Sequence, residues 1–181
     1  MKTFGANPRI AALRGASRET IQSVLAEFAE RSARRGLKVA GVLEASESSA
    51  EEGCGSLALR DLASGAVFSI SQDLGPGSTA CNLDSSGLVA ACAAVERAIT
   101  DGADLVVLNK FGKQEVARSG LCDAFRAAIL ANLPIVTAVS PSLSDAWAVF
   151  AGPFSVFLPA EIDAVEAWWR EGTDSWVIDA A

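Results

Sequence analysis

The sequence has no histidine and no tyrosine, a single methionine, and four cysteines in 181 residues. Without histidine, Ser-His-Asp and Cys-His nucleophile systems, His-ligated zinc or haem, and the usual proton shuttle near neutral pH are excluded. Any chemistry rests on carboxylates, lysines, cysteines or backbone amides. Cys54, Cys81, Cys92 and Cys122 are separated by 27, 11 and 30 positions, so no C-x-x-C pair suggests zinc, an iron-sulfur cluster or a thioredoxin-like motif. Long apolar runs are also missing. The uncharged stretch Ala146 to Ala160 is broken by Gly152, Pro153 and Pro159 and falls short of the roughly 18 residues a membrane helix needs. The first residues carry only the short apolar run Ile10 to Leu13, far below a signal-peptide core. A cytoplasmic protein with no membrane insertion is expected. Positive charge is scarce overall, with 15 Lys and Arg against 22 Asp and Glu, a net charge of −7. That balance argues against a nucleic-acid partner.

The length suits a single α/β domain over residues 1–181, with a hairpin and loop insertion at about 46–85. Hydrophobic period predicts a strand at Arg9 to Leu13 and a helix from about Arg18 to Arg35, whose apolar face is Ile21, Val24, Leu25, Phe28 and Ala29. Ser17 is its expected N-cap and Gly36 its stop, before a strand at Leu37 to Leu43. A right-handed crossover makes these two strands parallel neighbours. Ser56 to Leu62 and Ala66 to Ser71 read as a hairpin around Ala63-Ser64-Gly65, followed by an irregular loop to Ser86. From Gly87 the rhythm resumes: a helix to Thr100, the apolar strand Asp104 to Leu108, a helix over Gly120 to Asn132, and a strand from Pro134 to Ser140. A short helix around Leu143 to Phe150, an apolar stretch Phe154 to Leu158 and a last helix through Trp169 complete the pattern. The expected fold is an open, mostly parallel sheet with helices on both faces and a β-hairpin insertion.

Ligands of such sheets sit beyond the carboxyl ends of the strands, which draws attention to the loops Arg14 to Thr20, Gln72 to Asp84 and Asn109 to Gly120. The first stands where a P-loop would follow strand one, but it lacks the second glycine and the lysine of G-x-x-x-x-G-K-[ST]. What it keeps is a helix N-terminus, Ser17, and the cations Arg14 and Arg18, a combination suited to a small anion. Otherwise it is a capped helix with solvated arginines. The third loop, Asn109-Lys110-Phe111-Gly112-Lys113-Gln114-Glu115, leaves a buried strand where a metal-binding carboxylate would stand in a nucleotide hydrolase. Asn109 cannot supply that negative charge, whereas Lys110, Lys113 and backbone amides such as that of Gly112 can neutralise an oxyanion. Glu115 is the only local carboxylate able to act as a base; the plain alternative is a turn with two surface lysines.

Cys92 and Cys122 fall where small buried hydrophobes belong, whereas Cys54 and Cys81 lie in loops and could meet as a thiol pair, a disulfide or a soft-metal site. Trp168, Trp169 and Trp176 accompany an acidic tail and could close the core or cover a second copy of the chain in a homo-oligomer. Charge is also uneven: residues 1–38 hold eight basic and three acidic side chains, and the remainder seven and nineteen. The net −7 therefore does not forbid an anion site.

The segments Ile10 to Leu13, Gly41 to Leu43, Ile70 to Gly77, Cys81 to Asp84 and above all Asn109 to Glu115 resemble domain of unknown function family 2478, from about residue 9 to 170. Members of that bacterial family are typically encoded beside molybdate-transport genes and look distantly like P-loop nucleoside-triphosphatases. The resemblance implies a P-loop-type sheet and a setting of molybdate or tungstate handling. Together with the residues, it leads to the expectation of an oxyanion-binding or accessory protein using Arg14, Ser17, Arg18, Asn109, Lys110, Gly112 and Lys113, with molybdate, tungstate or a phosphate-containing ligand as the bound species. Binding is favoured over catalysis, and no metal is assigned. One alternative is a nucleoside-triphosphatase with a metal on Asp73, Asp84 or Glu115. Another is a non-catalytic interaction protein meeting a molybdate transporter or molybdoenzyme through its tryptophan-bearing end.

Overall fold

The computed structural model of the chain describes residues 8–45, 57–72 and 82–176. Strand β1 (Ile10–Arg14) is buried for four residues and surfaces at Arg14. Helix α1 (Arg18–Arg34) starts at its Ser17 cap and is followed by Gly36 at φ 88°, a stop that favours glycine. Then follow β2 (Val39–Glu44), β3 (Ala58–Asp61), β4 (Val67–Ser69), β5 (Ser71–Gln72), β6 (Asn82–Leu83), α2 (Ser85–Thr100) and β7 (Leu105–Leu108). The one-turn helix α3 (Lys113–Val116) and α4 (Cys122–Leu130) lead to β8 (Ile135–Ala138), α5 (Ser144–Ala151), β9 (Ser155–Pro159) and α6 (Ile162–Trp176).

The main sheet has seven strands in the order β4-β3-β2-β7-β8-β1-β9, and β5 pairs with β6 separately. Five neighbouring strands, β2, β7, β8, β1 and β9, are parallel, while β3 and β4 add an antiparallel hairpin at one edge. This is the expected open α/β sheet with its hairpin insertion. The expected adjacency of β1 and β2 is corrected: β7 and β8 stand between them. Crossover handedness fixes that the two strands run parallel but not how many others intervene. The consequence is functional, because β1 leads through α1 back towards β2 while its neighbour β8 leads through α5 past β1 to β9, and connections that leave adjacent strands in opposite directions open a crevice above their carboxyl ends.

Side chains alternate across the sheet. Ile10 and Ala12 join a core with Val106, Leu108, Phe125 and Trp147 under α2, α4 and α5. Ala11 and Leu13 join the opposite core with Leu25, Phe28, Val107 and Trp168 under α1 and α6. Central β2 approaches β7 so closely at Gly41 (φ 134°) that a Cβ there would lie 1.8 Å from the Val107 carbonyl oxygen. Any side chain at Gly41 would force β2 off its partner.

Helix α6 runs past the predicted end at Trp169 to Trp176, through Gly172. A Cβ on Gly172 would come 2.3 Å from the Trp176 ring, so glycine is what lets that ring fold back onto the helix. Trp168, Trp169 and Trp176 form one cluster, with centroids 5.4 to 6.4 Å apart. Trp169 also meets Phe28 edge-on at 6.0 Å, and Trp168 donates its indole N–H to the Pro8 carbonyl at 2.8 Å. Trp168 and Trp176 are buried, so the aromatic end closes the core of this chain. Glu166 pins α6 to α1 by accepting two bonds of 2.8 Å from Arg35. No helix among the described residues is long and apolar enough to cross a membrane.

Candidate functional site

The carboxyl ends of β1, β7 and β8 open into a cleft of about 1070 Å³. Its first wall is the turn Arg14-Gly15-Ala16-Ser17. Gly15 takes φ 86°, which a side-chain-bearing residue rarely adopts, and so reverses the chain directly into α1. Ser17 Oγ accepts the Thr20 N–H at 3.2 Å and contacts Thr20 Oγ1 at 3.1 Å. The cap satisfies the Thr20 N–H, one of the open N–H groups at the start of α1. The two arginines of this wall are both engaged. The Arg14 guanidinium lies over the Phe157 ring, 4.0 Å from its centroid, and Arg18 forms a two-pronged pair with Glu44, its Nε 3.1 and 3.0 Å from the carboxylate oxygens. Glu19, beside the cap, has its carboxyl held below the usual range, first by its own backbone N–H and then by Ser17.

The second wall follows β7. Asn109 is buried to 5% exposure, and its carbonyl oxygen accepts from Gln22 Nε2 of α1 at 3.0 Å, so the two walls are tied together. Asn109 lines the cleft, and its carboxamide makes no hydrogen bond to any described residue. Phe111 continues the strand by one bridge to Val139, donating its N–H to the Ala138 carbonyl at 2.8 Å. Its ring drops into an aromatic cluster, 5.0 Å from both Trp147 and Phe150 and 6.0 Å from Phe125. Anchoring Phe111 inward turns Lys110, its neighbour on the chain, outward. Lys110 and Lys113 are exposed on the cleft wall, and neither forms an ion pair among the described residues.

Glu115 has a role that its position in the sequence does not reveal. It is buried, its Oε2 accepts from the Gly112 N–H and its Oε1 from the Leu121 N–H, each at 2.8 Å. Both oxygens are spent on holding the two ends of the loop together, and Gly120 (φ 63°) packs so tightly that a Cβ would lie 2.5 Å from Oε1. The Gly112 amide is thereby committed to Glu115 rather than directed at the cleft. Glu115 is a clamp, built as the N3 half of a capping box.

All seven ligand residues named from the sequence, Arg14, Ser17, Arg18, Asn109, Lys110, Gly112 and Lys113, line this one cleft. Sequence reasoning missed Gln22, one helical turn beyond the cap, and Ser140 and Ser142 on the β8–α5 turn, whose hydroxyls are 3.1 Å apart. Gln22 could have been found, since it lies four residues after Arg18 and hence on the same side of α1. Its Oε1 is buried without a partner. The Ser140 turn carries no charge or motif and offered no signal.

Among the described residues no cluster of three or more Cys, Asp or Glu could hold a metal ion. Asp84 caps α2, accepting from the Ser86 N–H at 2.9 Å and the Ser86 hydroxyl at 2.6 Å, and these bonds hold its carboxyl below the usual range. Cys54, Cys81 and Asp73 lie outside the described residues. Cys92 and Cys122 are buried free thiols; burial pushes Cys92 up to about 11 and raises Cys122 as well, the behaviour of core residues rather than nucleophiles.

With this geometry in place, comparison with known proteins adds kinship. The family described as "Protein of unknown function (DUF2478)" matches residues 10–168. The chain belongs to the DUF2478 family. A curated relative of this DUF2478 chain, Molybdenum import ATP-binding protein ModC 2 of Bradyrhizobium diazoefficiens, is 39% identical over 165 residues, 90% of this chain. The matched segment makes up 18% of that relative, so the chain spans less than a fifth of it. No solved structure matches the chain significantly.

Proposed function

We propose that this DUF2478 chain is a cytoplasmic oxyanion-binding or accessory protein of molybdenum handling, with the cleft between the Ser17 and Gly112 loops as its site. The observation that carries the reading is the convergence of Arg14, Lys110 and Lys113 with the α1 N-terminus at one rim, in a chain whose net charge is −7. The two lysines have no carboxylate partner among the described residues, so a bound anion would complete them. The aligned relative's name supplies the molybdenum setting, and molybdate, tungstate and phosphate are the anions to compare.

Binding is preferred to nucleotide hydrolysis on three grounds. The β1–α1 turn is too short to wrap a chain of phosphates, β7 ends in Asn109 where a metal would need a carboxylate, and Glu115 is already committed to two backbone amides. An interaction role through the tryptophans is disfavoured by the burial of Trp168 and Trp176. Equilibrium dialysis against molybdate, tungstate, sulfate and phosphate tests the proposal. Saturable uptake of at least one is expected, and no uptake of any at millimolar concentration would overturn it.

A further inference from the structure

The groups that line the cleft are unequal in hydrogen bonding as well as in charge. Four cations, Arg14, Arg18, Lys110 and Lys113, stand against two carboxylates, Glu44 and Glu115, so the described lining carries two positive charges in excess, which suits a dianion. Neither carboxylate is left unengaged. Glu115 spends its two oxygens on the Gly112 and Leu121 N–H groups at 2.8 Å, and Glu44 spans Arg18, its oxygens 3.1 and 3.0 Å from Nε and Oε2 2.9 Å from Nη2. The Asn109 and Ala138 carbonyls are likewise taken, by Gln22 Nε2 at 3.0 Å and by the Phe111 N–H at 2.8 Å, and Gln22 Oε1 is buried out of a ligand's reach. The hydroxyls of Ser17, Ser140 and Ser142 and the Asn109 carboxamide donate as readily as they accept, so they serve any anion, whereas the lysine ammonium groups only donate.

Resting on the anion reading above, we propose that the cleft selects fully ionised dianions, the class of molybdate, tungstate and sulfate, and discriminates against phosphate by its proton. At neutral pH phosphate keeps at least one hydrogen, while the other three ions carry none. An ion with four bare oxygens offers an acceptor to every donor of the rim. Phosphate must either point a P–OH group at donors or turn it away and give up a charge-assisted bond, and no unengaged carboxylate among the described lining residues compensates. Charge alone does not separate these ions, since hydrogen phosphate is a dianion too. The Arg18–Glu44 pair and the Glu115 clamp thereby gain a second role, that of keeping carboxylate acceptors away from the anion.

Equilibrium dialysis of the full chain at neutral pH against sulfate, phosphate and monofluorophosphate isolates the proton, because monofluorophosphate is a dianion of phosphate's size with fluorine in place of the hydroxyl. Sulfate and monofluorophosphate should each bind at least about tenfold more tightly than phosphate. Arg18→Gln, at a side chain that is 55% exposed, releases the Glu44 carboxylate to accept and should leave the thermal midpoint within a few degrees. It should narrow the gap between monofluorophosphate and phosphate to less than about threefold. Phosphate bound as tightly as monofluorophosphate by the unaltered chain, or a gap that persists unchanged in Arg18→Gln, overturns the inference while the oxyanion reading stands. If sulfate, molybdate, tungstate and phosphate all fail to bind, the oxyanion reading falls and this inference falls with it.

Discussion

The two walls of the cleft start alike, each leaving the carboxyl end of a buried parallel strand, yet they treat charge in opposite ways. On the β1 wall both arginines have protein partners, Arg14 on the Phe157 ring and Arg18 on Glu44, and the start of α1 is capped by Ser17. On the β7 wall the cations are open, and the protein's effort goes into the loop beneath them, with Phe111 sunk into an aromatic cluster and Glu115 clamping Gly112 to Leu121. The first wall pairs one arginine with a carboxylate and stacks the other on a ring, whereas the second carries lysines with no ion-pair partner among the described residues, on a braced loop. Counting cations in the sequence makes the walls look equivalent; their partners make the second the wall on which the proposed anion would chiefly rest.

Four variants can break or sharpen that contrast. The largest effect is expected from Glu115→Ala, which strands two N–H groups that now bond to a buried carboxylate. At about 1.5–3 kcal/mol for each bond to a charged group, urea denaturation should show a loss of at least about 3 kcal/mol, and anion binding should weaken because the lysines lose their support. Next comes Lys110→Ala combined with Lys113→Ala, expected to cost at least about tenfold in anion affinity, or about 1.4 kcal/mol, with stability changed by less than about 0.5 kcal/mol, as for exposed residues. A smaller change of opposite sign is expected for Glu44→Gln. Freed of its partner, Arg18 would add its charge to the rim, and dialysis should show anion affinity rising a few fold; an unchanged affinity would mean Arg18 does not face the ligand. Ser17→Ala should act least on binding, removing the cap at about 1 kcal/mol of stability and altering affinity by less than about threefold, as read by thermal melts and titration in parallel.

Much of the architecture was legible because it rests on local rules. Ser17 and Gly36 delimit α1 through capping and a positive φ, and the run Leu105 to Leu108, apolar on both faces, reads as a central parallel strand. Strand order was not legible, since the placing of β7 and β8 between β1 and β2 depends on packing of whole units that no local pattern encodes. The helix through Gly172 was cut short for a related reason. The glycine that lowers helix propensity there is the one that admits the Trp176 ring, so tertiary packing overrides the local preference. At the site, position along the chain identified which residues reach the rim. It could not show that Arg18 is balanced by Glu44, 26 residues away, or that Glu115 is a clamp. Residue type tells what a side chain can do, and only its partners tell what is left for it to do.

The central claim is that an oxyanion sits between the Ser17 cap and the Lys110–Lys113 loop. Soaking crystals of the protein in millimolar tungstate and recording anomalous diffraction tests it most directly, because tungsten marks its own position. An anomalous peak within hydrogen-bonding reach of the Lys110 or Lys113 ammonium, on the side of the cleft that faces the start of α1, is expected. A cleft without such a peak, or tungsten found only elsewhere on the molecule, would contradict it.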